Sequence, residues 1–268
     1  MLIAEVDDYP VDAKFVEKGL RYRCPLCKRP VVLRRGLLVA ANFGHKPRDT
    51  CSWAKGETRA HLDAKRLVYD EFEHRGGKTK LEHVVDTLPG DRRADVMAWS
   101  PEGPMVAFEL QHTAIDSRSI SVRAAAYARI GVWQIWIPFL RPLVWRDGRV
   151  AEDWDWKVQR YPARPFERWI YTFGLDSMWM YDPEKSDFWS ARMAPVMLWK
   201  EESMYYGEGG EENYRGGYQY ESKIYRELTL RGPYKISSLR VRRTKVPSRR
   251  KDGFIWPKAV VAYLEPIG

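Results

Sequence analysis

Apolar residues in the first half of the chain recur at two different spacings. From Gly56 to about His74 they repeat every three or four residues, which predicts a first long helix. The apolar arc of this helix comprises Ala60, Ala64, Leu67, Val68 and Phe72. A second helix is predicted from about Ser119 to Ile130, because Gly131 follows as a typical helix end.

Strand-like runs surround the second helix. Residues 93–99 (RADVMAW) and 105–111 (MVAFELQ) are separated by Ser-Pro-Glu-Gly-Pro, a strong turn signal, so an antiparallel hairpin is predicted. Residues 132–137 (VWQIWI) have the character of a buried strand that ends at Pro138. Nearer the amino terminus, residues 31–40 (VVLRRGLLVA) predict a short hairpin centred on Arg35 and Gly36. The order helix, strand, strand, helix, strand predicts an α/β core.

The composition changes after about Asp147. Tryptophans become frequent, which predicts an irregular region with some hairpin structure around Asp182-Pro-Glu-Lys. Residues 205–220 are poor in aliphatic side chains and rich in Gly and Glu, which predicts a flexible linker. The predicted segments are an amino-terminal module at 1–53, a core at 54–147, a Trp-rich accessory region at 148–204, the linker at 205–220 and a basic segment at 221–268.

The overall composition is that of a globular protein. The 268 residues are 44% hydrophobic and 30% charged, which allows a substantial core in one or two domains. No apolar run approaches the roughly 18 to 20 residues that a bilayer-spanning helix needs. Residues 1–10 carry Asp and Glu where a secretory signal would carry Lys or Arg. These features predict a cytoplasmic protein with no membrane association.

The net charge of +9 is concentrated late in the chain. Residues 221–268 contain 12 Lys and Arg against 4 Asp and Glu, whereas residues 1–220 are nearly balanced. Clustered basic residues release counterions from nucleic acid, so this segment is predicted to contact DNA phosphates. A solubilising tail is the alternative. The predicted DNA-binding residues are Arg240, Arg242, Arg243, Lys245, Arg249, Arg250 and Lys251.

The three cysteines and one histidine form a pattern typical of a structural zinc site. In Cys24-x2-Cys27-x17-His45-x5-Cys51, one pair of ligands lies on each side of the predicted amino-terminal hairpin. Zn2+ prefers four tetrahedral thiolate and imidazole ligands, and a closed set of four leaves no open position for catalysis. Three buried thiols beside an unrelated histidine are the alternative.

A group of carboxylates suggests a second metal site. Asp95 and Glu109 lie on the two strands of the predicted hairpin, and period-two alternation puts Gln111 on the same face as Glu109. Glu57 and His61 are four residues apart on the first predicted helix, inside its apolar arc, where polar groups need a partner. Such oxygen ligands suit Mg2+ or Mn2+. Ordinary strand-edge and helix-surface acids are the alternative.

These motifs resemble those of known nucleases. Asp95 in RADV, followed by Glu109-Leu-Gln111, resembles the D…(D/E)-x-K core of the PD-(D/E)XK nucleases, with Gln in the Lys position. The combination of CPLC, GETRAHLDAK, RADV and FELQ with a following helix resembles the competence protein CoiA-like nuclease family over roughly residues 20–140. The resemblance implies a restriction-endonuclease-like core, a mixed sheet flanked by helices, between an N-terminal zinc knuckle and a C-terminal Trp-rich and basic region.

The resemblance also implies roles for individual residues. Asp95, Glu109 and Glu57 are expected to hold catalytic Mg2+ or Mn2+, while the zinc is structural. Gln111 is expected to orient the attacking water, although a glutamine supplies no cation.

Supporting residues are expected to compensate for the missing lysine. His61, Lys65 and Arg123 are the candidates, and a solvated helix lysine is the alternative for Lys65. Arg123 and Tyr127 lie where RecB-type nucleases carry a Gln-x-x-x-Tyr motif, so the sequence departs from that pattern, and Tyr127 is a further candidate supporting residue.

The sequence therefore predicts a metal-dependent deoxyribonuclease that acts in DNA uptake or recombination, or in defence, with a recombination or defence protein as a candidate partner. A catalytically inactive DNA-binding or recombination-adaptor module on the same fold is the alternative. A zinc-organised adaptor for other proteins would suit the Trp-rich region but would leave the carboxylates unexplained.

Overall fold

The computed structural model describes the chain except residues 37–38, 48, 52, 54–56, 89, 100–104, 154, 252 and 257. Across the described residues, an amino-terminal antiparallel sheet, a central mixed sheet and a carboxy-terminal antiparallel sheet follow one another along the chain. No helix in this described part combines the length and apolarity that crossing a membrane requires.

The amino-terminal sheet has the strand order β2-β1-β3-β4-β5. Its strands are β1 (Ile3–Val6), β2 (Tyr9–Asp12), β3 (Tyr22–Arg23), β4 (Pro30–Gly36) and β5 (Val39–His45). Alternate residues of β4, Val31 and Leu33, are buried against Tyr22 and Phe43. The predicted hairpin is confirmed by the antiparallel pairing of β4 with β5, and residues 37–38 between the strands lie outside the described residues.

The central region contains the predicted helices and hairpin. Its elements are α1 (Arg59–His74), β6 (Lys78–Leu81), β7 (Val84–Val85), β8 (Arg92–Arg93), β9 (Val96–Trp99), β10 (Met105–Gln111), α2 (Ser117–Arg129) and β11 (Trp133–Pro138). The sheet order is β11-β10-β9-β6, in which β10 and β11 are parallel and the other neighbours antiparallel. Strands β7 and β8 form a separate short pair. Strand β6 was not predicted from the sequence.

The two central helices begin at side-chain caps. The Thr58 hydroxyl accepts from the backbone N–H of His61, which fixes the start of α1 at Arg59. The Asp116 carboxylate accepts from two backbone N–H groups at the start of α2, and this helix ends before Gly131, whose φ is 73°. The apolar arc of α1 packs on the central sheet.

The carboxy-terminal region is built mainly from long strands. Its elements are α3 (Pro142–Asp147), β12 (Arg149–Val150), β13 (Trp156–Pro162), α4 (Pro165–Phe173), β14 (Met178–Asp182), β15 (Asp187–Lys200), β16 (Ser203–Tyr206), β17 (Glu212–Arg215), β18 (Tyr218–Tyr234), β19 (Leu239–Val246), β20 (Arg249–Lys251), β21 (Phe254–Trp256) and β22 (Ala259–Pro266). The main sheet has the order β12-β13-β18-β15-β14, and three further pairs are β16 with β17, β19 with β22 and β20 with β21.

The expectation of an irregular Trp-rich region was wrong. Trp169, Trp179 and Trp189 are buried, and they belong to the hydrophobic cores beneath the sheets. Because large aromatic side chains supply much buried area each, a tryptophan-rich stretch can build a core with few aliphatic residues. The predicted hairpin after Asp182 is confirmed by its pairing with Asp187.

The stretch predicted to be a flexible linker also forms strands. Residues 205–220 comprise the end of β16, all of β17 and the start of β18, and Tyr205 pairs with Asn213. Aromatic residues have high strand propensity even where aliphatic residues are scarce. Strand β18 continues through residue 221, where the basic segment was predicted to begin, and its Leu228 and Leu230 are fully buried.

The carboxy-terminal strands are tied to the central region. Arg75, at the end of α1, donates hydrogen bonds of 2.6 and 2.7 Å to the carbonyl oxygens of Leu239 and Ile236. The Trp179 indole donates to the Leu264 carbonyl at 2.9 Å. Leu239 and Leu264 belong to the same buried cluster as the apolar face of α1.

Candidate active site

The predicted carboxylates open onto one cleft of about 460 Å3. Its described walls combine the start of α1, the segment before β9, the end of β10 and one side chain of α2. The site residues predicted from the sequence that line it are Glu57, His61, Asp95, Glu109, Gln111 and Arg123. Lys65 and Tyr127, which were also predicted, are buried and bond to these carboxylates.

Asp95 lies in a bend immediately before β9, so its predicted position within the strand was wrong. The antiparallel pairing between β6 and β9 ends at Leu81 and Val96. The next residue after Leu81, Glu82, has a φ of 49°. The Asp95 carboxylate accepts from the backbone N–H of Leu110 at 2.9 Å, which fixes it against β10.

The charge of Asp95 is stabilised by two neighbouring side chains. Its Oδ1 lies 3.3 Å from Lys65 Nζ and its Oδ2 lies 3.2 Å from His61 Nε2. Burial alone would raise the pKa of Asp95, but Lys65 and His61 hold this pKa well below its usual range. Asp95 is therefore ionised throughout the neutral range.

Glu109 is held differently, although it lies on the neighbouring strand β10. It is buried, and its Oε1 accepts from the Tyr127 hydroxyl at 2.7 Å while Arg123 lies 2.8 Å from its Oε2. Burial, with repulsion from Asp95, raises the pKa of Glu109 to about 7 despite the opposing Arg123 guanidinium. Proton binding and cation binding at this carboxylate therefore compete near neutral pH.

Glu57 lies two residues before α1, so its predicted position on the helix was wrong. The cap at Thr58 starts the helix after Glu57. Glu57 Oε1 nevertheless accepts hydrogen bonds of 2.7 Å from Lys65 and 3.0 Å from Arg93. Its Oε2 is buried, lies 3.5 Å from the Met1 amino group and accepts no hydrogen bond. That oxygen is an available ligand atom.

Lys65 is fully buried, which excludes its alternative interpretation as a solvated helix lysine. Besides Glu57 and Asp95, it bonds to Glu82 at 2.8 Å. Burial would lower the pKa of Lys65, but the three carboxylates raise it above its usual value. The pKa of Glu82 is lowered, because Lys65 and Arg93 outweigh the effect of burial.

Two residues of this charged network were missed by the sequence analysis. Glu82 follows the unpredicted strand β6, and no motif distinguished it from other acidic residues. Arg93 precedes Asp95 by two residues and contacts both Glu57 and Glu82. In the strand predicted at residues 93–99, period-two alternation would have placed Arg93 on the same face as Asp95.

Gln111 is at the end of β10, where it lines the cleft as predicted. Its side-chain N–H donates to the Thr113 carbonyl at 2.5 Å, which orients the amide. The adjacent His112 also lines the cleft, packs edge-on against Phe139 and was not predicted from the sequence. Burial lowers the pKa of His112.

Glu57, His61 and Asp95 form a group that could hold a metal ion. One ligand atom from each residue lies within 4.8 Å of the others. Two carboxylates and one imidazole match the oxygen and nitrogen preferences of Mn2+ and, less closely, Mg2+. Glu57 Oε2, which accepts no hydrogen bond, also fits a cation ligand. Glu109 lies outside this group of three, because Arg123 and Tyr127 hold its carboxylate.

A second group, Cys24, Cys27, His45 and Cys51, has its ligand atoms within 4.8 Å of one another. The Cys27 sulfur lies 3.4 Å from His45 Nε2. Burial raises the pKa of Cys24 to about 12, so this thiol gains its thiolate form only beside a cation. Burial lowers the pKa of His45 and favours the neutral imidazole that binds metal. The cluster therefore fits a metal ion such as zinc.

The cluster of Cys24, Cys27, His45 and Cys51, which we call the metal knuckle, adjoins the cleft. Cys51 Sγ accepts from the backbone N–H of Trp53 at 3.4 Å. The Trp53 ring lies 4.5 Å from the Arg93 guanidinium, and Arg93 bonds to Glu57. A direct chain of contacts thus joins the cysteine cluster to the carboxylate network.

Several basic residues of the carboxy-terminal segment have protein partners. Arg240 and Arg242 both contact Glu265 at 2.8 to 2.9 Å. Arg249 donates to two carbonyl oxygens at the end of α4. The others lie on β19 and β20: Arg243 stacks near Trp133, Lys251 contacts Asp176, and Lys245 and Arg250 are exposed.

Comparisons with known proteins match most of the chain. The family model described as the nuclease-like domain of competence protein CoiA matches residues 57–201, and the model of the N-terminal domain of the same protein matches residues 10–54. The competence protein CoiA of Bacillus subtilis (strain 168) is 30% identical over 121 residues, which are 45% of this chain and 32% of that protein. The match spans about a third of that relative. No solved structure matches this chain.

Proposed function

Because this chain belongs to the competence protein CoiA family, we propose that it is a metal-dependent deoxyribonuclease acting in DNA uptake or recombination, or in defence. The reaction is hydrolysis of DNA phosphodiester bonds in the cleft that contains Asp95 and Glu109. The proposed location is the cytoplasm.

The observation that carries this proposal is the convergence of Glu57, His61 and Asp95 on one cleft, where Glu57 Oε2 accepts no hydrogen bond. Glu109 and Gln111 line the same cleft from β10. The succession α1, β6, β9, β10, α2, β11, with β10 parallel to β11, supports a restriction-endonuclease-like core. A pure binding module would have little reason to keep Glu57, Asp95 and Glu109 together.

Each residue has a proposed role in the reaction. Asp95, Glu57 and Glu109 are proposed ligands of Mg2+ or Mn2+, with His61 as an added nitrogen ligand. When bound, the cation activates a water and stabilises charge on the phosphate. Gln111 orients the attacking water through its amide.

Lys65 and Arg123 supply positive charge that Gln111 lacks. Lys65 is buried and acts through the carboxylates: it keeps Asp95 ionised and in position. Arg123 and Tyr127 fix the Glu109 carboxylate from the side of α2. These are positioning roles.

The proposed zinc is structural. Cys24, Cys27, His45 and Cys51 fill all four positions of a tetrahedral site, which leaves no place for a substrate. The seven basic residues of β19, β20 and their surroundings that were predicted to bind DNA are proposed to contribute phosphate contacts away from the cleft.

The decisive experiment compares wild-type protein with Asp95→Ala and Glu109→Ala on circular single-stranded and double-stranded DNA with added Mg2+ or Mn2+. Both substitutions are expected to abolish cleavage while retaining DNA binding, because the cation is lost. Glu184→Ala, on an exposed turn, is the matched control. Equal metal-dependent cleavage by wild type and Asp95→Ala would overturn the assignment.

A second candidate function is a catalytically inactive DNA-binding or recombination-adaptor module. The salt bridge between Glu109 and Arg123 favours it, because a carboxylate held in this way is less available to a metal. Wild-type protein that binds DNA but cleaves neither circular substrate with either cation would favour this alternative.

A further inference from the structure

A second depression adjoins the cleft. It has a volume of about 490 Å3, lies between the amino-terminal sheet and the start of α1, and shares Glu57 with the cleft. We refer to it as the basic groove, because its described walls carry Lys18, Arg34, Arg35 and Arg59 and a single acidic side chain, Glu57.

The charge of the amino-terminal module agrees with this groove. Residues 1–53 contain 10 Lys and Arg against 6 Asp and Glu, whereas residues 54–220 contain 23 against 26. The near balance of residues 1–220 therefore combines an excess of four positive charges in the module with an excess of three negative charges beyond it. Within residues 1–220, a polyanion would therefore approach the cleft most favourably over the module.

The groove arginines are held by the backbone of the module. The Arg34 guanidinium lies across Gly44, where an added Cβ would overlap it, and donates to the His45 carbonyl at 3.4 Å. Arg35 donates to the carbonyls of Ala13 and Val16 at 2.6 and 2.8 Å. Arg34 is thus anchored directly beside the zinc-ligand candidate His45. This anchoring reduces the entropy lost when a ligand binds.

We propose that the basic groove binds the phosphodiester backbone of a nucleic acid and leads it over Glu57 into the cleft. This inference rests on the proposed nuclease function. Asp95 and Glu109 are recessed, and Lys65 and Arg123 already pair with their carboxylates, so a phosphate needs further cationic side chains at the entrance. Lys18, Arg34 and Arg59 supply that support on the side of the metal knuckle.

The test measures binding of fluorescent single-stranded and duplex oligonucleotides over a range of salt concentrations, without added divalent cation or chelator. Groove variant Lys18→Gln, Arg34→Gln, Arg59→Gln is compared with wild type. The control variant removes the same charge from three exposed positions that line neither the cleft nor the basic groove, through Arg146→Gln, Arg149→Gln and Lys200→Gln. Arg35 is left intact because its carbonyl contacts support the fold.

The groove variant is expected to weaken binding about tenfold and to lower the slope of log K against log salt by about two units for single strands and about three for duplex, since each of the three lost contacts contributes about 0.7 or 0.9. The control variant is expected to keep the slope. The strand form that shows the larger loss identifies the substrate form. Thermal unfolding and zinc content establish that both variants are folded.

Equal slopes for the groove and control variants, or a wild-type protein that binds neither oligonucleotide, would overturn the inference. Its failure is distinguishable from failure of the nuclease proposal. If Asp95→Ala loses cleavage but the groove variant binds DNA as wild type does, only the groove proposal is contradicted. If the groove variant binds DNA more weakly but wild-type protein does not cleave it, only the nuclease proposal is contradicted.

Discussion

Lys65 Nζ lies 2.8 Å from Glu82 Oε1, and both side chains are buried. Lys65 belongs to the middle of α1 and Glu82 follows β6, so this ion pair joins the helix to the sheet. Two further carboxylates, Glu57 and Asp95, lie within 3.3 Å of the same ammonium group. The lysine therefore neutralises a site that would otherwise concentrate negative charge.

Replacing Lys65 by methionine is expected to lower the free energy of unfolding by about 3–5 kcal/mol, because it leaves buried carboxylates without their cation. Urea denaturation measures the change. Lys80→Met, at an exposed position of β6, is the control and is expected to change stability by less than about 0.5 kcal/mol. The double variant Lys65→Met, Glu82→Gln is expected to lose less than the sum of its single changes. Strict additivity would contradict the pairing.

The knuckle is expected to bind about one zinc ion per chain. Cys51→Ser and His45→Asn should each release the zinc and lower thermal stability, because the closed ligand set is broken. Elemental analysis of freshly purified protein measures the metal. His74→Asn, at an exposed position on the last turn of α1, is the matched control for the histidine. Unchanged zinc content in His45→Asn would mean that His45 is not a ligand.

Gln111→Lys is expected to retain or raise the cleavage rate, since it restores the lysine usual at this position of the proposed superfamily. Gln111→Ala should lose activity, because nothing then orients the water. The Thr113 carbonyl that accepts from the Gln111 amide can also accept from a lysine. Single-turnover rates with saturating metal separate this effect from binding. A fully active Gln111→Ala would remove the proposed role.

Glu109 should make the metal-free protein less stable as the pH rises from about 4.5 to 7. Its pKa of about 7 in the folded protein exceeds the ordinary value of 4.5, so in this window the folded protein holds a proton that the unfolded chain has released. Relative to Glu109→Gln, wild type is expected to lose about 3 kcal/mol of unfolding free energy across it.

Urea denaturation at several pH values, without added divalent cation, measures this difference, and Glu184→Gln is the control. Added Mn2+ should stabilise wild type increasingly as the pH rises, because metal binding requires the carboxylate form of Glu109. Parallel pH profiles for wild type and Glu109→Gln would contradict the raised pKa.

The central part of the fold followed from periodicity. The helix at 59–74, the hairpin of β9 and β10 and the parallel strand β11 have long, regular patterns of apolar residues, so local sequence was sufficient. Strand β6 (KTKL) was missed because four residues with two lysines give too short a pattern. The cap at Thr58 was also overlooked, so Glu57 was assigned to the helix.

The candidate site was only partly predictable for a physical reason. Asp95, Glu109 and Gln111 are linked by a local hairpin, whereas Glu82 joins the network through a tertiary contact with Lys65. A buried lysine and a buried glutamate look like surface residues in the sequence, because only the fold determines whether they are paired. The carboxy-terminal sheet was missed because its core mixes tryptophan and tyrosine with aliphatic residues such as Val158, Leu228 and Leu230, and the tryptophans were taken to indicate irregular structure.

The hydrogen bonds from Arg75 to Ile236 and Leu239 affect the timing of folding during synthesis. The helix that carries His61 and Lys65 obtains its carboxy-terminal partners from residues that leave the ribosome more than 160 positions later. A nascent chain shorter than this has the cleft residues but lacks the strands that brace their helix. Assembly of the cleft is therefore coupled to completion of the carboxy-terminal sheet, which would keep partly synthesised chains from exposing the complete set of proposed nuclease residues.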